Sequence, residues 1–346
     1  MRTAEFDFDL PDALIARYPA SPRDSARLLV VDRETRRLRH HVFSDLPELI
    51  DPRDVLVRNN TRVMPARLLG RRATTGGKWE GLFLKEEPDH RWRILATTRG
   101  RPQIGEEILV GDGLRLILEA RGEGGSWIVA PRTDRDGPSS TLALLERHGL
   151  TPLPPYIRGG RPEPADDVDY QTVYAQEPGS AAAPTAGLHF TEALFQRLSN
   201  RGITWADLTV SIGVGTFRPI QADDIDLHAM HAEWARITPE AVNQITTRRQ
   251  NGGRVIAVGT TSTRALESAA TTGLLEPFAG ETSLYIKPGH TFHAIDGLIT
   301  NFHLPRSSLL VLVSAFAGCE LIKSAYLEAI RERYRFFSYG DSMLIL

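Results

Sequence analysis

Residues 254–270 read RVIAVGTTSTRALESAA. RVIAVG is a short apolar run that ends in glycine, the pattern of a strand buried on both faces. STRALESAA has helical composition, and Gly273 ends it. A buried strand that passes through glycine into a helix is the repeating unit of an α/β sheet. The alternation continues on the N-terminal side of this stretch. Thr191 reads as the cap of a helix through Leu198, and residues 203–212 as a strand. Thr238, Pro239 and Glu240 open a further helix with a capping hydroxyl, a first-turn proline and an early carboxylate; Gly252 and Gly253 stop it. Far upstream, DVLVRN at 54–59 reads as one more strand of the same sheet.

From about Ala66 to Arg132 the rhythm changes. ARLLGRRA, KWEGLFLKE, RWRILATT, EEILV, LRLILEAR and SWIVAPR follow one another as short strands, separated by glycine-rich or polar turns. Five or six strands in about seventy residues predict a small barrel or curled sheet. Ser140 then caps a helix in LALLERHG, and TPLPPYIRGGRPEP reads as a linker back to another domain. The expected fold is α/β: a large sheet domain formed from both ends of the chain, residues 1–68 and 151–346, with a small β-barrel-like domain inserted at 69–150.

Of the 346 residues, 41% are hydrophobic and 24% charged, ordinary values for a globular protein. One cysteine, Cys319, rules out a disulfide framework and argues against an iron–sulfur cluster or a structural zinc site, which need several. The N-terminus lacks the apolar core of a signal peptide, and the most apolar stretch, 309–318, is too short to cross a bilayer. These features predict a cytoplasmic protein with no membrane partner. The net charge of −2 excludes a generally basic nucleic-acid binder and turns attention to local arginine density. Arg58, Arg62, Arg67, Arg71 and Arg72 crowd the passage into the inserted region, as phosphate contacts for RNA or as solvated charge.

Four segments are candidates for chemistry. The turn Gly259-Thr260-Thr261-Ser262-Thr263-Arg264 offers free backbone N–H groups at a helix start, or is an ordinary capped turn; it has neither the P-loop nor the dinucleotide spacing. LHAMHAEW holds the densest titratable cluster, His228, His231 and Glu233. If this segment is extended, His231 and Glu233 share a face, which suits proton transfer, a metal or a surface role. AAAPTAGLHF at 181–190 and SIGVGTF at 211–217 are small-residue loops next to predicted elements, where α/β ligand sites form or helices pack.

At these segments the chain resembles the S-adenosylmethionine:tRNA ribosyltransferase-isomerase family. The resemblance runs through LIARYPASPRDSARLLVVDR, NNTRVMPARLLGRR, LPPYI, YQTVYA, AAAPTAGLHF, GVGTFRPI, HAMHAEW, VIAVGTTSTRALESAA, LITNFHLPRSSLLVLVSAFAG and YRFFSYGDSMLI, and is weakest over about 74–150. It implies transfer and isomerisation of the ribosyl group of S-adenosylmethionine onto 7-aminomethyl-7-deazaguanine at the tRNA wobble position. The products are epoxyqueuosine in tRNA, adenine and methionine. It implies no metal or redox cofactor, since S-adenosylmethionine is consumed as donor, and no obligate protein partner. With the resemblance marking the segment, His231 and His228 are the expected proton-transfer groups, with Glu233 orienting or sharing the work. Gly187, His189, Gly259, Thr260, Thr261, Ser262 and Arg264 are expected to bind S-adenosylmethionine, and Arg58, Arg62 and Arg67 the tRNA. The resemblance implies a histidine before GVGTF, usual in the family in a Leu-His-Val context; this chain has Ser211. Two competing readings are a metal-dependent hydrolase built on His228, His231 and Glu233, and a catalytically silent RNA-binding module. A methyltransferase is disfavoured because no Gly-x-Gly loop follows an N-terminal strand, as that fold would require.

Overall fold

The computed structural model describes residues 1–111, 113–134, 140–213 and 219–346. Nine strands form one sheet. In spatial order they are Phe278–Thr282, Glu233–Ile237, Thr204–Val210, Val55–Asn59, Val255–Val258, Gly297–Asn301, Ser342–Ile345, Arg27–Val31 and Leu38–Val42. The strands at the centre, from Thr204–Val210 to Gly297–Asn301, run parallel, and both edges are closed by antiparallel neighbours. DVLVRN therefore supplies a central strand, and the chain does return to the same sheet from both ends.

Continuous apolar runs appear where both faces of the sheet are covered. Val55, Val57, Val255, Ala257 and Leu298 join one hydrophobic core with the helices Thr260–Ser268 and Ser308–Ala317. Leu56, Ile256, Val258, Ile299 and Leu344 join a second core with Phe190, Leu194 and Leu198 on the opposite face. The capped helices form as the side chains dictate: Thr191 accepts from Leu194 N at 3.1 Å, and Thr238 from Ala241 N at 3.3 Å. No single helix among the described residues is long and apolar enough to cross a membrane; Ser308–Ala317 and Cys319–Arg331 meet at a 115° bend.

The six strands Arg67–Arg72, Lys78–Glu86, Trp92–Thr98, Glu107–Val110, Leu114–Arg121 and Ser126–Thr133 close into a barrel with its own core around Trp92, Ile94, Leu116 and Val129. The helix Thr141–His148 follows, with the Ser140 hydroxyl accepting from Ala143 N at 3.2 Å. The proline-rich segment read as a linker is packed into the α/β domain instead. Ile157 is buried, and the Tyr156 hydroxyl pairs with Ser338 Oγ at 2.7 Å. Its prolines rigidify an ordered path rather than loosen it.

Candidate active site

The carboxyl ends of the parallel strands gather one cavity. Gly259, Thr260 and Thr261 approach it from the strand Val255–Val258, Thr300 and Asn301 from the next strand, and Ile212 from beyond Val210. Ala183–Ala186, Phe302–Leu304, Phe337, Ser338 and Tyr156 complete the wall. This is where open α/β sheets bind ligands. Gly259 has φ 93°, a left-handed conformation that glycine adopts without strain, and it starts the helix Thr260–Ser268. The first intrahelical bond runs from Thr263 N to Gly259 O, so the N–H groups before it are available to a ligand.

One buried histidine, His303, lines this cavity, and a second, His189, contacts the lining residue Asn301. His189 Nε2 accepts from Asn301 Nδ2 at 3.2 Å, and burial, aided by Arg335 and Arg23, holds it well below the usual imidazole range at about 3. His303 Nε2 lies 2.8 Å from Thr300 Oγ1, and burial likewise takes it down to about 3. Both rings are neutral near pH 7, so they act as hydrogen-bonding groups rather than charges.

The remaining positions in these motifs do other work. A Cβ on Gly187 would fall 2.1 Å from the Tyr174 hydroxyl, so this glycine makes room for a buried tyrosine and not for a ligand. Ser262 is fully buried and donates to Val258 O at 2.8 Å. Arg264 is buried too, with Nη1 donating to Glu233 Oε2 at 2.7 Å, Nε to Leu284 O at 3.1 Å and Nη2 to His231 O at 3.4 Å. The side chains of Ser262 and Arg264 are thus engaged within the protein, and Gly187, Ser262 and Arg264 are not among the residues that line the cavity.

The histidine segment lies beside this cavity, not in its wall. Glu233 opens a strand and turns inward, while His231 is exposed and His228 half-buried. Glu233 forms an ion pair with Arg264, which also holds the His231 carbonyl. His228 packs edge-on against Tyr285 at 5.6 Å, and burial, then the nearby His231, lowers its pKa. Among the described residues, no group of three histidine, cysteine, aspartate or glutamate side chains is placed to hold a metal ion. The glycine loop 211–217 lies outside the described residues from Val214 onward; Ser211 donates its backbone N–H to Trp234 O at 2.9 Å.

Of the three arginines read as tRNA contacts, Arg58 is withdrawn. It is 7% exposed, pairs with Asp207 at 2.5 Å and lies over the rings of Tyr174, Phe195 and Trp205 at 4.2–5.1 Å. Arg62 is exposed and reaches Glu146 at 3.2 Å; Arg67 pairs with Glu80 at 2.8 Å where barrel residues face Pro152–Pro155.

Sequence reasoning missed Asn301, His303, Ser338 and Tyr156. All four stand in segments that carry the family resemblance, but in apolar contexts that give no periodic signal for chemistry.

The family described as Queuosine biosynthesis protein matches residues 3–345. The S-adenosylmethionine:tRNA ribosyltransferase-isomerase of Symbiobacterium thermophilum is 50% identical over 349 residues, covering all of both chains. That of Francisella tularensis subsp. novicida is 46% identical over 345 residues, again covering all of both. The crystal structure of S-adenosylmethionine tRNA ribosyltransferase from Thermotoga maritima aligns with TM-score 0.56 and 34% identity, covering 99% of this chain and 100% of that one. With this identity sustained from end to end, the chain belongs to the S-adenosylmethionine:tRNA ribosyltransferase-isomerase family of transferases.

Proposed function

We propose that this protein transfers the ribosyl moiety of S-adenosylmethionine to 7-aminomethyl-7-deazaguanine at the tRNA wobble position and isomerises it, giving epoxyqueuosine in tRNA with release of adenine and methionine. The observation that carries the assignment of the site is the cavity at the sheet's carboxyl ends, bounded by the Gly259 helix start. It accepts the nucleoside end of the donor. Its wall is apolar and aromatic, with helix N–H groups and a few neutral polar side chains to fix orientation, the composition of a nucleoside pocket.

The chemistry needs a base to take the acidic proton next to the sulfonium and assistance for departing adenine. His231 and His228 are assigned to these transfers. His228, lowered by burial and by its neighbour, is shifted toward the neutral form that accepts a proton. Arg264 and Glu233 position this segment through the His231 carbonyl and the strand that follows. Arg62 and Arg67, at the passage to the barrel, contact tRNA phosphates. S-adenosylmethionine is consumed, and no metal or redox cofactor takes part.

Purified protein with S-adenosylmethionine and tRNA bearing 7-aminomethyl-7-deazaguanine is expected to release adenine and methionine without added metal. Formation of S-adenosylhomocysteine would show methyl transfer and refute the assignment. Loss of activity on chelation would favour the hydrolase reading, and tRNA binding without adenine release a silent RNA-binding module.

A further inference from the structure

Asn301 ends the strand Gly297–Asn301, lines the cavity and is 2% exposed. Its Nδ2 donates to Phe337 O and to His189 Nε2, both at 3.2 Å. A backbone carbonyl accepts and cannot donate, so the bond to Phe337 fixes which end of the amide is nitrogen. His189, neutral through burial, accepts at Nε2 and carries its proton on Nδ1. The remaining polar atom, Asn301 Oδ1, is buried and has no hydrogen-bond partner. A buried acceptor left bare is unfavourable, and one at a cavity wall marks the place of a ligand donor.

The wall identifies that donor's chemical class. Among the described residues, no aspartate, glutamate, lysine or arginine lines the cavity. The described wall therefore matches a neutral group better than a sulfonium, ammonium or carboxylate, whose desolvation it does not offset. Tyr156 and Phe337, with ring centroids 4.9 Å apart, together with Phe302 suit a neutral flat ring. Adenine presents an amino donor beside ring-nitrogen acceptors. Asn301 Oδ1 complements the amino group, and the N–H groups at the helix start complement the ring nitrogens.

We propose that Asn301 is the specificity-determining residue for the donor's base, accepting through Oδ1 from the 6-amino group of adenine. This rests on the assignment of the nucleoside end to this cavity. A 6-oxo base sets an acceptor against Oδ1, leaving both unpaired.

The test compares kcat/KM for S-adenosylmethionine and its 6-oxo analogue, S-inosylmethionine, on the full chain with its tRNA substrate. The wild type is expected to favour the 6-amino donor by about 10- to 100-fold, mainly in KM. Asn301→Ala, checked for folding, is expected to bring the ratio to within about threefold of one by losing the 6-amino preference. Equal use of both donors by the wild type, or an unchanged ratio in the folded variant, overturns the proposal. A crystal structure with adenine separates the two levels of the argument and needs no variant. Base in the cavity with N6 within hydrogen-bond distance of Oδ1 supports both levels. Base in the cavity with N6 out of reach of Asn301 overturns the proposal and leaves the site standing. Base bound elsewhere overturns both.

Discussion

Arg264 Nη1 and Glu233 Oε2 meet at 2.7 Å with 5% and 3% of their side chains exposed, tying the helix after Gly259 to a strand next to the sheet's edge. Removing one partner of such a buried pair leaves an uncompensated charge and costs about 3–5 kcal/mol. Glu233→Ala is therefore expected to lower the urea midpoint of unfolding markedly. If the variant unfolds like the parent yet loses catalysis, Glu233 acts on substrate rather than as this anchor.

His189 and His303 make folding stability depend on pH. Burial depresses both to about 3 in the folded state, against about 6.5 in the unfolded chain. The unfolded chain therefore binds more protons between those values. The contribution is fully present above about pH 6.5 and is lost as pH falls toward 3. Between pH 7 and 5 each histidine is expected to withdraw about 2 kcal/mol, before the carboxylates dominate. Urea unfolding at pH 7, 6 and 5 measures this slope. His303→Gln should flatten it; a variant as acid-sensitive as the parent would show that His303 is protonated in the native state.

The arginines separate by burial. Arg62→Ala is expected to weaken tRNA binding and reduce the slope of log K against log salt by about 0.7–0.9, as one lost phosphate contact does. Arg58→Ala is expected to leave that slope unchanged and destabilise the fold by about 3 kcal/mol, because it strips Asp207 and three aromatic rings of their partner. Binding titrations across salt concentrations, run beside thermal unfolding, distinguish the two. A reduced slope for Arg58→Ala would place that guanidinium against RNA despite its burial.

The readable parts of the fold were those with a local signal. Thr191, Thr238 and Ser140 cap the helices they announce, and the six strands of the barrel alternate as their side chains do. The outer strands of the large sheet were less legible. Leu38–Val42 and Phe278–Thr282 lie at its edges with mixed polar and apolar residues, so no clean period marks them. The site divided in the same way. The glycine turn at 259 stood out because backbone geometry demanded glycine, whereas Arg58 looked like surface charge because its partners Asp207 and Trp205 lie about 150 positions away. Asn59 was hidden for a similar reason. Its side chain bonds Val210 N and O at 2.9 and 3.0 Å, a substitute for sheet pairing that exists only after folding.

Ser211 stands where the family resemblance leads one to expect histidine, and its surroundings rank the candidate bases. Its backbone N–H is held by Trp234 O, and its Oγ lies 3.3 Å from where a Cβ on Gly179 would sit, at the end of a central strand. A serine hydroxyl is far too weak a base to replace imidazole, so an active enzyme must find its base elsewhere. His231 is exposed for that work, and its proximity, after burial, helps hold His228 below the usual imidazole range. Loss of a general base lowers a rate by about 10²–10⁴-fold, whereas loss of one neutral hydrogen bond is worth roughly 1 kcal/mol, under tenfold. Ser211→Ala is expected to stay within about tenfold of the parent, and His231→Ala to fall at least about a hundredfold. Removing His231 also removes one of the two causes that lower His228, so His228 rises and the acidic limb of any residual activity moves to higher pH. Single-turnover rates at saturating S-adenosylmethionine across pH decide the ranking. Equal damage from both substitutions would refute it, and a fully active His231→Ala enzyme would take that residue out of the mechanism.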